Sequence, residues 1–414
     1  MTVKKVLLRA PVLTQSGYGE HGRLILRALR SREDLYDIYI HATNWGKTSW
    51  QWEDTEERQW IDKCLEKTMS HLNENKDNVN FDVSVQVTIP NEWEDIAPVN
   101  IGVTAGIETT KTSAVWLEKA NMMDRVITIS NHSANVFKNT VYDGTSVETG
   151  DPITLSLTTP IDVVHYPVKT FENVEELDLN LTTSFNFLSV QQWSPRKNVP
   201  QLVQAFIEQF RDNEDVGLVL KANLMKNCIL DRRATINSMR SQLRQYGEYK
   251  CKIYLLHGYM TEEELNSLYT HPKLHAYATT THGEGYGLPI FEAAYNGMPV
   301  LAPDWSGQVD FLYKPVKTGK KKKNKAMFSR ITYTLGPVQE FALWPGVIEK
   351  DSMWAYPELG SVKMNMDEIH KDYGRFKKRA KELQTWVLKN FKEEDIHKKI
   401  IQNINIQKTG ENNV

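Results

Sequence analysis

The sequence predicts an α/β chain made of two Rossmann-like halves, and three observations predict it. Short runs rich in Val, Ile, Leu and Phe alternate with helical apolar patterns, which is how a parallel sheet covered on both faces reads. That rhythm runs to about Tyr166, halts in a polar stretch from Lys169 to Thr183, and restarts at Phe185. In each half a glycine-rich segment follows a strand pattern and opens a helix, at Gly17 to Gly22 and again at Gly283 to Gly287.

In the first half, strands are expected at Val3 to Arg9, Asp37 to Ala42, Phe81 to Ile89, Val99 to Val103, Arg125 to Ile129 and Asp162 to Tyr166. Helical patterns lie between them at Glu20 to Arg30, Glu56 to Leu72 and Thr112 to Asn121. In the second half the strands are Phe185 to Gln191, Val216 to Lys221, Ile253 to His257, Leu274 to Ala278 and Pro299 to Ala302. A helix from Val199 to Arg211 places Leu202, Val203, Phe206 and Phe210 on one face. Another runs from Asp231 to Tyr246, and Thr261 followed by Glu264 forms a capping box before a third. The tail from Asp367 to Phe391 reads as one long charged helix with Tyr373, Phe376, Leu383 and Val387 inside. The expected domains are therefore 1–175, 176–365 and a helical tail over 366–414.

The 414 residues are 40% hydrophobic and 25% charged, with 50 Lys and Arg against 52 Asp and Glu. A net charge of -2 excludes a protein that coats nucleic acid over its whole surface. No apolar run approaches the roughly 18 residues of a membrane span. Met1 to Ala10 reads as a first strand rather than a signal peptide. Cys64, Cys228 and Cys251 form no CxxC pair, which fits a reducing cytoplasm, with a peripheral membrane position left open.

The segment His282 to Pro303 reads HGEGYGLPIFEAAYNGMPVLAP. Glycines let backbone N–H groups approach a ligand closely, and a helix beginning near Leu288 adds unpaired donors and a positive field suited to phosphate. Glu284 precedes that helix and Glu292 lies one turn inside it. A carboxylate accepts two hydrogen bonds from a vicinal diol, which is how a sugar is gripped.

This segment resembles the E-x7-E signature of retaining glycosyltransferases of the GT-B fold, the family 4 type, here Glu284-Gly285-Tyr286-Gly287-Leu288-Pro289-Ile290-Phe291-Glu292. The resemblance implies two Rossmann-like α/β domains facing across a cleft, with the tail crossing back to the first. It makes Glu284 a ligand of the donor sugar and Glu292 the ligand of the nucleotide ribose. It puts Gly285, Tyr286, Gly287 and Leu288 beside the sugar and diphosphate. Phe187 to Phe206 looks like the family's strand-loop-helix that holds the diphosphate with an Arg and a Lys. Lys197 falls on the family lysine; the family arginine position is Gln192, and Arg196 stands ready to replace its charge. Gly258 and Tyr259 match the backbone that holds the base, and Gly307 to Asp310 a structural turn.

Ser16 to Gly22 reads SGYGEHG, formally G-x-G-x-x-G, which alone suggests a nicotinamide dinucleotide site. Six residues separate Ala10 from Gly17, and Thr43, Asn44 and Trp45 stand where the ribose-binding acid is expected. The resemblance instead gives Gly17 and Gly19 to a loop reaching the donor phosphates and acceptor. Glu108, in VTAGIETTK, is the acceptor-side carboxylate; its structural alternative is a helix N-terminal acid. Ser130 and Asn131 read as a helix start, and His165 as structural.

No D-x-D triplet, zinc spacing, P-loop or nucleophile elbow is present, so no metal and no cofactor are expected. The expected function is transfer of a sugar, with retention, from a nucleotide-diphosphate donor to a saccharide or lipid-linked saccharide. The alternatives are glycosylation of a polyanion such as hydroxymethylated DNA and a nicotinamide-dependent oxidoreductase. Lys314 to Lys325 motivates the polyanion: it holds seven lysines in 12 residues and no acid, and such density favours a mobile loop.

Overall fold

The computed structural model describes residues 3–75, 80–145, 150–172, 174–318 and 321–406. These form two units. The first gathers the described residues of Met1–Pro167, Gln339–Ser352 and Lys392–Val414; the second gathers those of Val168–Val338 and Met353–Phe391.

In the first unit, strands β1 (Lys4–Ala10), β2 (Tyr36–Ala42), β3 (Val83–Val87), β4 (Val99–Thr104) and β5 (Arg125–Thr128) are followed by an antiparallel hairpin, β6 (Tyr142–Thr145) and β7 (Pro152–Leu155), and by β8 (Ile161–Val163). The sheet is parallel in the order β2-β1-β3-β4-β5-β8. Val6, Leu8, Val85, Ile101, Val103 and Val126 are buried, as both-face coverage of a parallel sheet requires. The covering helices are α1 (Gly17–Arg30), α2 (Glu56–Glu74), α3 (Ala114–Asn121) and α4 (Asn131–Asn139). Each begins at a hydroxyl N-cap: Ser16, Thr55, Ser113 and Ser130 each accept a backbone N–H from the first turn.

The second unit repeats the plan. Its strands are β9 (Phe185–Gln192), β10 (Val216–Asn223), β11 (Lys252–Leu256), β12 (Ala276–Ala278) and β13 (Val300–Pro303), then a hairpin, β14 (Tyr313–Thr318) and β15 (Lys321–Ala326), and β16 (Ser329–Ile331). The parallel order is β11-β10-β9-β12-β13-β16. Helices α5 (Val199–Phe210), α6 (Ile229–Leu243), α7 (Glu262–Thr270), α8 (Leu288–Tyr295) and α9 (Val309–Leu312) alternate with them. Thr261 and Glu264 form the expected capping box of α7. Phe187, Leu202, Phe206, Phe210 and Leu218 make the core between α5 and the sheet.

Two expectations need correcting, and one pair of strands is new. The lysine run is not a loop: Tyr313–Thr318 pairs antiparallel with Lys321–Ala326, Gly319 and Lys320 lying outside the described residues. Its base is anchored, since Tyr313 donates to Asp304 and packs edge-on to Phe328. The tail is not one helix. α10 (Leu359–Lys371) ends at Asp372, whose non-helical φ of -129° and ψ of 47° separate it from α11 (Tyr373–Asn390). A pair of strands the sequence did not suggest, β17 (Tyr333–Pro337) and β18 (Met353–Pro357), encloses a segment that belongs to the first unit. There Lys111 is ion-paired to Asp351, and the Ser113 hydroxyl donates to the Gly346 carbonyl at 2.8 Å. A last helix, α12 (Glu393–Ile404), also belongs to the first unit and lies on α1 with Ile396, Ile400, Ile401 and Ile404 buried.

Candidate functional site

The glycine-rich segment of the second unit lies where β12 meets α8, at the carboxyl edge of a parallel sheet, the place where open α/β sheets bind ligands. Two loops are laced together there. The His282 amide donates to the Arg196 carbonyl at 2.8 Å, and the Thr280 hydroxyl to the Asn198 carbonyl at 2.9 Å. Pro195 opens a 3-10 turn ending at Asn198, whose φ of 50° is left-handed, a conformation Asn tolerates, and α5 starts from it with Pro200 in its first turn.

This lacing brings Arg196 and Lys197 onto Glu284. Arg196 Nη1 donates to Glu284 Oε2 at 2.9 Å and to the Gly283 carbonyl at 2.7 Å; Lys197 Nζ donates to Glu284 Oε1 at 2.5 Å. The Glu284 side chain is 7% exposed. Burial alone would raise its carboxyl, but Lys197 and Arg196 outweigh burial and hold it down at about 2. One carboxylate thus faces two cations, so the cluster keeps a net positive charge. Its backbone is fixed from a neighbouring turn: the Glu284 amide donates to Ser306 Oγ, and the Gly307 amide donates to the Glu284 carbonyl, each at 2.9 Å. Gly307 has to be glycine, because a Cβ there would lie 1.9 Å from the Gly285 carbonyl oxygen. Gly287, at a φ of 90°, turns the chain into α8.

Glu292 lies inside α8, half-buried, and accepts from Tyr269 Oη at 2.7 Å. Burial, then the Glu292 charge, push the Tyr269 hydroxyl well above its ordinary range, so it stays a donor. Tyr286 is buried among Phe291 and Phe311, so its side chain serves the core, and only its backbone belongs to the loop. Leu288 is half-buried at the helix start. Gln192 is exposed, and its amide donates to the Leu224 carbonyl at 2.6 Å, whereas Arg196 is on Glu284. Gly258 has a φ of 126° and open space where a Cβ would stand, with its carbonyl held by Lys221 Nζ; Tyr259 beside it is exposed. Asp231 steadies the same rim by accepting from His257 Nε2 at 2.8 Å and from the amides of Leu224, Met225 and Lys226.

Gly17, Gly19 and Glu108 all belong to the first unit; Gly17 and Gly19 are not on a loop, as expected, but in the first turn of α1, whose N-cap is Ser16, and Glu108 follows β4. Two of the three glycines of the G-x-G-x-x-G pattern serve packing. A Cβ on Gly19 would lie 2.1 Å from the Thr14 carbonyl oxygen, and one on Gly22 would lie 3.0 Å from Ala10 Cβ. Gly17 meets nothing within 4 Å. Tyr18, next to it, shares a 2.9 Å hydrogen bond with Thr104 and packs at a tilt against Trp45, ring centres 4.0 Å apart. Burial raises the Tyr18 hydroxyl above its ordinary range, and the charge of Glu108, which is half-buried, adds to that. His132, whose Nε2 meets the Thr109 carbonyl at 3.2 Å, is pushed down to about 4 by burial. Ser130 caps α4, and His165 Nδ1 meets the Ile129 carbonyl at 2.8 Å.

The roles of Tyr269, Ser306, Lys221 and Asp231 were missed from sequence. Each acts on a residue far away in the chain, and none sits in a motif. The one local signal was the pair Ser306-Gly307, a small-residue turn just beyond a strand.

No family model matches the chain. Over 133 residues, 32% of the chain, it is 28% identical to the serotype-specific mannosyltransferase WbdA of Escherichia coli, and the match spans 15% of that relative's length. Among solved structures, sucrose-phosphate synthase from Thermosynechococcus elongatus superposes with a TM-score of 0.60 at 12% identity, covering 96% of this chain and 98% of that one. HepE from Anabaena, solved with UDP-glucose, gives 0.55 at 13% identity over 96% and 98%. The E. coli trehalose-6-phosphate protein bound with UDP-2-fluoro glucose gives 0.57 at 11% identity over 97% and 99%. Two parallel six-stranded sheets, each in its own Rossmann-like unit, and these likenesses together show that the chain has the GT-B fold.

Proposed function

We propose that this chain is a glycosyltransferase that moves a sugar from a nucleotide-diphosphate donor to an acceptor hydroxyl with retention of configuration. The observation that carries the reading is Glu284, a buried carboxylate clamped by Arg196 and Lys197 at a glycine-rich helix start. A diphosphate brings negative charge that the two cations and the α8 N-terminus can meet, and the leaving group gains further charge as the glycosidic bond breaks. Donor binding draws the cations toward phosphate, and the Glu284 oxygens then accept from sugar hydroxyls. Glu292, oriented by Tyr269, takes the ribose hydroxyls. The backbone at Gly258, with its carbonyl pinned by Lys221, takes the base. In this scheme the departing phosphate accepts the acceptor's proton on the same face, and the protein works by positioning and charge stabilisation without a metal. The acceptor is a saccharide or lipid-linked saccharide, and Glu108 is the carboxylate proposed to meet it.

Thermal shift against a panel of UDP-, GDP- and ADP-sugars tests the donor, because a ligand that binds only the folded state raises apparent stability. Likeness to a mannosyltransferase and to a protein solved with UDP-glucose puts nucleotide-diphosphate mannose and UDP-glucose first. Glu292→Ala is expected to abolish the shift and to cost about 2–4 kcal/mol in kcat/KM. A shift with NADH or NADPH and none with any nucleotide sugar would overturn the proposal.

A further inference from the structure

The hairpin β14–β15 holds six of the seven lysines between Lys314 and Lys325 and no acid; Lys320 is outside the described residues. Side chains alternate faces along a strand, so the register sorts these lysines. Lys314 pairs with Lys325, while Lys323 and Lys321 stand opposite Val316 and Thr318, which puts Lys314, Lys321, Lys323 and Lys325 on one face. Lys317, Lys321, Lys323 and Lys325 are exposed and Lys314 is half-buried. Among the described residues, none of these five lysines has an acidic partner. Like charges directly opposite each other across two strands cost stability, so the Lys314–Lys325 pair does nothing for the fold that a neutral pair would not do better. In a chain whose net charge is only -2, this is a deliberate local concentration of positive charge.

The ribbon's composition selects the counterpart. A lipid surface is held durably by charge together with an apolar group that inserts, and among the described residues Pro315 is the only exposed apolar one on the ribbon. A single strand of nucleic acid needs aromatic rings among the cations for stacking. Here the one ring, Tyr313, is committed at the base to Asp304 and Phe328. A two-stranded ribbon is an element that the major groove of a duplex admits, and six residues of strand extend about 20 Å along it. Lysine supplies point charges to phosphate and reads no base in particular. We propose that the β14–β15 ribbon binds double-stranded nucleic acid through its phosphates without sequence preference. The proposal stands apart from the glycosyl-transfer reading and is tested without it.

Fluorescence anisotropy of the full chain with a labelled random-sequence duplex of about 20 base pairs reads the interaction directly. Four lysine–phosphate contacts are expected to weaken binding on the order of a hundredfold between about 50 and 200 mM salt. The variant K314Q/K321Q/K323Q/K325Q is expected to lose binding at least about tenfold and to flatten the salt slope by about 3–4, with an unchanged thermal unfolding midpoint. Should that variant unfold, K321E/K323E gives the same reading with two changes. No duplex binding at the lowest salt, binding that survives the lysine substitutions, or retention on phosphatidylserine vesicles without duplex binding would each overturn the proposal.

Discussion

Glu284 shows at the scale of one residue how stability and function draw on the same charges. Its carboxyl sits at about 2 in the folded protein because Lys197 and Arg196 outweigh the burial that opposes ionisation. A depressed carboxylate contributes stability that is fully present above its unfolded value near 4.5 and is lost as pH falls through about 2. The contribution is on the order of 3 kcal/mol. The gap between the denaturant midpoints of wild type and Glu284→Gln should therefore be narrower at pH 3 than at pH 6; a gap that does not change with pH would mean that the ion pairs are not what holds this carboxylate. Lys197→Ala leaves the buried carboxylate with one cation and removes the cation proposed to meet the donor phosphate. It is expected to cost about 2–4 kcal/mol in kcat/KM, and wild-type turnover in that variant would remove Lys197 from the site. Glu284 and Glu292 could be singled out in the sequence because they share one short segment, and Lys197 because it sits in a strand-loop-helix pattern of its own, but that Lys197 meets Glu284, 87 residues away, was not legible. Nor were Tyr269 and Ser306, because their partners lie 23 and 22 residues away.

At the scale of elements, what decides whether the Glu284 loop holds its shape is backbone contact. The turn at Ser306 and Gly307 presses on the Gly285 backbone so closely that only hydrogen fits. Gly307→Ala is expected to displace the Glu284 loop, lowering the unfolding midpoint by several degrees and abolishing donor-induced stabilisation; an unchanged shift would show that the loop does not need that contact. Gly19→Ala, which meets the Thr14 carbonyl, is expected to lower the midpoint as much while sparing donor stabilisation, because it lies in the other unit. The pattern at Gly17 to Gly22 therefore reads as close packing of a helix start on its preceding loop at two of its three glycines. The lysine hairpin was hidden in the sequence for a different reason. Charge density argued for mobility, but lysine side chains splay outward into screening solvent, and the backbone pairing beneath them is untouched. Likewise the tail reads as one helix because its apolar positions keep helical spacing across Asp372, where the backbone nevertheless breaks.

At the scale of the whole molecule, the chain passes between the two units more than once. Residues 339–352 return to the first unit from within the second, and α12 returns to it again. α12 covers α1 with four isoleucines, each about 1.5–3 kcal/mol when fully buried. A chain ending at Phe391 is therefore expected to lose most of the first unit's protection from proteolysis while the second unit still shows a donor-induced shift. Equal loss in both would mean that they do not unfold separately.

The sequence by itself determined the alternation of strands and helices, the restart at Phe185, the N-caps and the signature around Glu284. All of these rest on periodicity and on contacts between residues close along the chain. Only the tertiary structure decided which cations meet Glu284, what orients Glu292, why Gly307 must lack a side chain, and which segments return to the first unit. Those depend on how distant segments pack, and packing is set by the three-dimensional fit of side chains and backbone, which leaves no local pattern to read.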